Sequence, residues 1–308
     1  MTEFVIDTVA FRCDWKITCL DSVDWNVERV YNEGVLQSGN SACSGLAKTK
    51  AYHKSLGIRV SGIGATITYV QANLARVLHG DNGRLIRSQE EIDAALDAVI
   101  LAFGEFADTS SGIRDFVRVD LGLHFVCKPE QIIRAHRNCR YPRTSRPRID
   151  FGEHSASWNY DGRRIIMYDK GREMTRRYMQ NDGLPSDLLR VEIQLQKAPL
   201  KNELGGGEYP EILIFSECYE AFRRMMLKFA PPMEIPVPKD MYSAVAVMEQ
   251  AGSIFQGQTA LELITSSMPD RTVREWKRKV SQASLQTLQF DWAEKLPEQV
   301  PPPFIDWH

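Results

Sequence analysis

The sequence has no long uncharged apolar run. Its best stretch, 94-AALDAVILAF-103, is short and carries Asp97, whereas a membrane-spanning helix needs about 20 apolar residues. A transmembrane helix and a membrane partner are therefore not expected. The N-terminus, MTEFVIDTVAF, lacks the basic start and small-residue cleavage site of a signal peptide. The six cysteines (13, 19, 43, 127, 139 and 218) show no CxxC spacing. They read as reduced thiols of a cytosolic protein, not as a zinc site or a disulfide frame. Net charge is only −2, so the overall balance does not announce a nucleic-acid binder. Internal repeats and low-complexity tracts are also lacking.

What is there is an ordinary globular composition: 308 residues, 43% hydrophobic and 25% charged, enough for one large core or two. EFVIDTVAF, 58-IRVSG-62 and 65-ATITYVQ-71 are rich in β-branched residues and read as strands. Residues 88–106 carry the best helix signal, with Ser88 as N-cap and Glu91 as its capping-box partner. Ile92, Leu96, Ile100 and Phe103 then form the inward face. A long strand follows at 114–127. Asp161-Gly162 predicts a tight hairpin between 154–160 and 163–170, because both central positions tolerate positive φ. Residues 188–196 read as another strand. The expected class is α+β, a mainly antiparallel sheet with packed helices. Prolines at 231, 232, 236 and 238 resist helix and sheet alike and suggest a stiff linker. The expected organisation is thus a domain over 1–230, a linker over 231–240 and a smaller helical domain over 241–308. Within the last, 259–282 has the outline of a helix-turn-helix whose second, basic helix Asp270 would cap; any helical hairpin with a charged outer face looks similar. The tail could dock through Phe304 and Trp307.

Charge is unevenly distributed. RAHRNCRYPRTSRPR, residues 134–148, holds arginines 134, 137, 140, 143, 146 and 148 and no acid. Such a run suits either a phosphate-tracking loop or a solvated linker. RTVREWKRK, residues 271–279, has five cations, Arg274 and Lys277 among them, against Glu275. Alternation in 117-VRVDLGLHF-125 puts Asp120, Gly122 and His124 on one strand face, and 190-RVEIQLQ-196 does the same for Glu192, Gln194 and Gln196. If the two strands are neighbours, Asp120, His124 and Glu192 could ligate Mg²⁺ or Mn²⁺; a sheet with one wet face alternates in the same way. Alternation along 163–170 also puts Arg164, Tyr168 and Lys170 on one side. A phenol of pKa about 10 is a nucleophile only with help from a base, metal or cation. Lys170 could supply that help, or Tyr168 could simply be packed with its hydroxyl wet.

Four blocks, in order, carry a resemblance: 72-ANLARVLHGDNG-83, 117-VRVDLGLHF-125, 157-SWNYDGRRIIMYDK-170 and 189-LRVEIQLQKAPLKNELG-205. Together they resemble the replication initiation proteins of filamentous phages and related plasmids, the rolling-circle nicking-joining endonucleases. The resemblance covers about residues 1–230 and implies that Tyr168 attacks a DNA phosphodiester. The products would be a 5′-phosphotyrosyl intermediate and a free 3′-hydroxyl primer. A divalent ion would polarise the phosphate, with Asp120 and Glu192 as ligands and His124 as a third. Origin DNA, single-stranded or supercoiled duplex, is the implied partner, with a host helicase a further candidate and a bacterial cytoplasm the implied location. Arg134, Arg137, Arg140, Arg143, Arg163, Arg164 and Asn82 would contact the DNA, as would Arg274 and Lys277 if the C-terminal helices reach it. The sequence departs from the family pattern at His79 and Asp81 and lacks a His-hydrophobic-His motif. A non-catalytic replication-control protein and a water-using metal phosphodiesterase are the competing readings.

Overall fold

The computed structural model describes residues 2–19, 23–30, 48–80, 85–136, 139, 141, 148–152, 154–178, 187–230, 233–237, 240–250, 254–255, 258–283, 286–296 and 298. Arg137, Arg140, Arg143, Asn82, Phe304 and Trp307 lie outside them. In chain order the first elements are β1 (Thr2–Ile17), β2 (Trp25–Val30), β3 (Lys48–His53), β4 (Arg59–Ile63), β5 (Thr66–Asn73), α1 (Leu74–His79) and α2 (Gln89–Leu101). Then come β6 (Ala107–Asp108), β7 (Asp115–Val126), α3 (Pro129–Ala135), β8 (Arg148–Phe151), β9 (Ser155–Tyr160) and β10 (Arg163–Asp169). The central part ends with α4 (Lys170–Tyr178), β11 (Leu188–Gln196), α5 (Lys197–Leu204) and α6 (Phe215–Phe229).

These strands build one antiparallel sheet in the order β2-β3-β4-β5-β1-β7-β11-β10-β9-β8, with β6 on β1. The class is α+β, as the period-2 patterning suggests. Phe4 and Ile6 on β1, Leu121 and Leu123 on β7, Val191 and Ile193 on β11, and Ile165 and Met167 on β10 are all buried in one core. Helix α6 covers that face: the Tyr219 and Phe222 rings lie edge-on to Phe4, and Phe229 meets Trp158. Burying each such side chain contributes about 1.5–3 kcal/mol, so this layer holds the sheet's geometry. A register shift between Ile6 and Val9 on β1 is a bulge that lets Val9 stay buried while Asp7 keeps to the polar side.

Helix α2 starts as expected, with Ser88 accepting from the Glu91 amide at 3.3 Å. The Glu91 carboxylate, however, accepts from the Arg87 amide and not from that of Ser88. The helix stops at Leu101, and its fully buried residues are Ile92, Ala95 and Val99. Phe103 and Phe106 leave it to pack on Trp25. The Asp161-Gly162 hairpin forms, pairing Tyr160 with Arg163, but only Gly162 takes positive φ (71°).

Further along lie β12 (Met233–Val237), α7 (Met241–Gln250), β13 (Ile254–Phe255), β14 (Gln258–Thr259), α8 (Ala260–Thr265), α9 (Asp270–Ser281), β15 (Gln286–Phe290) and α10 (Trp292–Lys295). The expectation that the prolines of 231–240 resist sheet is corrected over 233–237 by β12, which pairs antiparallel with β15 and sets Pro236 opposite Thr287. A two-stranded ribbon has only edges, and an edge tolerates a residue without an N–H donor. Phe290, Trp292 and Leu296 join the main core, while Val245, Ala246, Ala260, Trp276 and Val280 form a small separate one. Pro269, not Asp270, is the N-cap of α9; Asp270 is the first helical residue. No helix among the described residues is long and apolar enough to cross a membrane.

Candidate active site

Strands β7 and β11 are direct neighbours, with Asp120 opposite Gln194, Gly122 opposite Glu192 and His124 opposite Arg190. On the far side of β11, Arg190 faces Tyr168 of β10; on the far side of β7, His124 faces Glu3 of β1. One sheet face therefore gathers Glu3, Asp7, Asp120, His124, Arg190, Glu192 and Tyr168. Successive residues of a strand point to opposite faces, so the apolar residues between them fix this face by packing on the other.

Arg190 is the hub. Its Nε donates to Glu192 Oε1 at 2.6 Å, one Nη to Asp7 Oδ2 at 2.8 Å, and the other lies 3.0 Å from His124 Nε2. The guanidinium needs space across the sheet, and Gly122 supplies it. A Cβ there would sit 2.9 Å from Val5 Cγ2 and 3.3 Å from an Arg190 Nη. Asp7 also accepts from Asn73 Nδ2 at 2.6 Å, while the Asn73 oxygen caps α1 through the Arg76 amide at 2.8 Å. Glu3 pairs with Arg87 at 2.7 Å.

Tyr168 lies near the end of β10 as expected, half-buried, and its hydroxyl donates to Glu192 Oε1 at 2.8 Å. Burial holds the phenol above its ordinary value, opposed by Arg190 and reinforced by Glu192. Burial also presses on Glu192, but Arg190 and the Tyr168 hydroxyl outweigh it and keep the carboxyl below its usual range. Lys170 does not continue the strand; it opens α4, buried, 3.0 Å from Glu173 and 5.9 Å from the centre of the Tyr168 ring. Burial and then Arg190 lower its ammonium pKa. Burial, followed by Arg190, drives His124 far below its ordinary value, so it is a neutral imidazole.

The expected ligand set of Asp120, His124 and Glu192 shares a face but does not close around an ion. Arg118 forks onto Asp120 at 2.8 and 2.6 Å, and Arg190 stands between His124 and Glu192. Guanidinium groups occupy the acceptors a cation would use. Burial still pushes the Asp120 carboxyl up to about 6, against the lowering by Arg118. Among the described residues, the group that brings three ligand atoms within 4.8 Å of one another is Glu130, His154 and Asp169. Asp169 follows Tyr168 directly in the chain. Arg172 also touches the His154 ring, so that site already carries one cation.

The predicted DNA contacts divide. Arg164 is exposed on the Tyr168 face, 3.5 Å from Ser157 Oγ. Arg134 on α3 and Arg274 and Lys277 on α9 are exposed. Arg163 is corrected: it points to the opposite face, buried with its guanidinium 3.8 Å from the Tyr141 ring centre. Strand alternation forces this, since Arg164 and Tyr168 share the other side. Sequence reasoning missed Glu3, Asp7, Asn73, Arg87, Arg118 and Arg190. A signal existed for some of them: Glu3 and Asp7 alternate with Phe4 and Ile6 in EFVID, and Arg190 precedes Glu192 by two residues on the same strand.

The sheet thus carries a buried arginine–carboxylate network beside a hydrogen-bonded tyrosine. Residues 5–203 match the family defined by the N-terminal region of a phage replication-associated protein, and the chain belongs to that family. Among solved structures, a rolling circle replication initiator protein from Geobacillus stearothermophilus aligns with 79% of this chain and 91% of its own, at 10% identity and a TM-score of 0.35. No curated protein matches the chain.

Proposed function

We propose that the chain nicks and rejoins DNA at a replication origin, with Tyr168 as nucleophile. The observation that carries this reading is the 2.8 Å hydrogen bond from the Tyr168 hydroxyl to Glu192, a carboxylate that Arg190 orients at 2.6 Å. Nucleophile, proton acceptor and orienting cation stand in the order that activation of a hydroxyl requires. The phenolic oxygen forms a bond to phosphorus as the bond from phosphorus to the 3′ oxygen breaks. The phenolic proton passes to Glu192, and the departing 3′ oxygen takes a proton from solvent to become the primer hydroxyl as Glu192 returns its own to solvent. Because Glu192 is held acidic and the phenol is held protonated, transfer is uphill in the free protein and is coupled to attack on a bound phosphate. The reverse transesterification reseals the strand.

Glu130, His154 and Asp169, two carboxylates and an imidazole, are donor types that Mg²⁺ or Mn²⁺ takes, and Arg172 would have to leave His154 for one to bind. When bound, such an ion supplies Lewis-acid polarisation of a phosphoryl oxygen. The arginine-held Asp120, His124 and Glu192 do not fit that role. The exposed Arg134 and Arg164 would contact the phosphates of origin DNA.

The test is incubation of the full chain with supercoiled origin DNA and Mg²⁺ or Mn²⁺. Nicked circles carrying covalently attached protein are expected from the natural chain, and none from Tyr168→Phe. Nicks without attachment would indicate a water-using phosphodiesterase. Binding without nicks would indicate a replication-control protein, a reading that the burial of Tyr168 favours.

A further inference from the structure

Away from Tyr168, the same sheet face bears a second set of polar and aromatic side chains that the cutting chemistry does not use. Register places Asn26, Tyr52, Arg59 and Gln71 in one row across β2, β3, β4 and β5. The adjacent row holds Glu28, Lys50, Ser61 and Tyr69. Tyr52 is 52% exposed, so its ring faces solvent. These residues line a cavity of about 720 Å³ whose charged walls are Lys50, Lys54, Arg59 and Arg76 against the single carboxylate of Glu28. The local surplus of three positive charges contrasts with the chain's net −2. Arg76 and Lys54 bond backbone carbonyls of Ser55 and Val23. Lys50 and Arg59 are exposed and have no ion-pair partner among the described residues.

The cavity lies on the sheet face that carries Tyr168. Gln71 pairs with Ala10 of β1, which pairs with Arg118 of β7. Asn73, two residues along β5, holds Asp7, and Asp7 holds Arg190. From β3 to β10 there are six strand steps, about 29 Å at the usual spacing.

We propose that this β2–β5 face is a platform for single-stranded DNA flanking the cut, with Tyr52 and Tyr69 stacking bases and Lys50 and Arg59 following the phosphates. Partner choice follows from the chemistry. The exposed Tyr52 ring and the half-buried Tyr69 ring, set between cations, offer a stacking surface that any unpaired base can use. A duplex hides its base faces and would leave those rings uncovered. The proposal rests on the reading of Tyr168 as the cutting residue, which makes the flanking strand the ligand that runs along this face.

The experiment measures binding of a fluorescent single-stranded oligonucleotide to the full chain by anisotropy, over a range of salt concentrations. Tyr52→Ala is expected to weaken binding about 5- to 150-fold, the range for loss of one stacked base, and Tyr52→Phe to retain it. Lys50→Ala with Arg59→Ala is expected to reduce the slope of log affinity against log salt by about 1.4. A blunt duplex should be insensitive to Tyr52→Ala and Tyr52→Phe. Unchanged single-strand affinity and slope in these variants would overturn the proposal, as would an equal loss of duplex affinity with Tyr52→Ala. The Tyr168 reading is scored separately: Tyr168→Phe should bind the oligonucleotide normally and form no adduct. An adduct from Tyr168→Phe would sink that reading while leaving a Tyr52-dependent binding result intact.

Discussion

At the scale of single residues, Arg190 decides whether the site exists. It is buried and neutralises Asp7 and Glu192 at once. Replacing it with methionine leaves two carboxylates with a lost partner, which typically costs about 3–5 kcal/mol. The midpoint of urea unfolding should fall accordingly. Arg190→Lys should recover only part, since an ammonium cannot reach three acceptors with the planar fork. An unchanged midpoint in both variants would show that the network is not structural. The candidate site was half legible from the sequence. Asp120, His124 and Glu192 stood out because polar residues alternate with apolar ones on their strands, and Tyr168 through the family resemblance. Arg190 carries the same signal, but whether an arginine neutralises a carboxylate or leaves it free for a metal depends on rotamers and register. Those are set by Gly122 and the β1 bulge, which only the assembled sheet reveals.

At the scale of elements, the β9–β10 hairpin positions the tyrosine. Gly162 has φ of 71°, and a Cβ there would approach the Gln196 carbonyl oxygen to 2.7 Å and Pro199 Cδ to 2.9 Å. Gly162→Ala therefore meets both backbone strain and a collision. It should destabilise the chain by about 1–3 kcal/mol, and thermal unfolding should show a lowered Tm; an equal Tm would mean the turn relaxes freely. This hairpin was readable because Asp-Gly chemistry is local. The end of α2 was not, because Phe103 and Phe106 leave the helix to pack on Trp25, which lies far back in the sequence. The pairing of β12 with β15 was hidden for a similar reason. Proline density signals a local preference, and a partner strand some fifty residues away overrode it.

At the scale of the whole molecule, His136 ties the C-terminal segment to the sheet. Its Nδ1 lies 2.7 Å from the Ile132 carbonyl, and its Nε2 accepts from the Trp292 indole at 2.7 Å. Burial lowers its pKa from the ordinary 6.5 to about 4. Unfolded chains therefore bind more protons than folded ones between those values. The stability gained from a neutral His136 is fully present above pH 6.5 and is lost as pH falls through 4. Asp120, raised to about 6, acts in the opposite sense, losing stability as pH rises toward 6. The His136 effect is therefore best read in an Asp120→Asn background. There, urea midpoints should decline from pH 6.5 to 4, and His136→Gln should flatten that decline; an unaltered decline would assign it to other groups. All of this scaffold serves one proposed act, which is best tested by identifying the residue joined to DNA. Origin DNA would be cut by the natural chain, the adduct digested with protease and nuclease, and the nucleotide-bearing peptide sequenced by mass spectrometry. The account predicts a 5′-phosphate on Tyr168; a phosphate on any other residue, Tyr178 included, or nicked DNA with no attached peptide would contradict it.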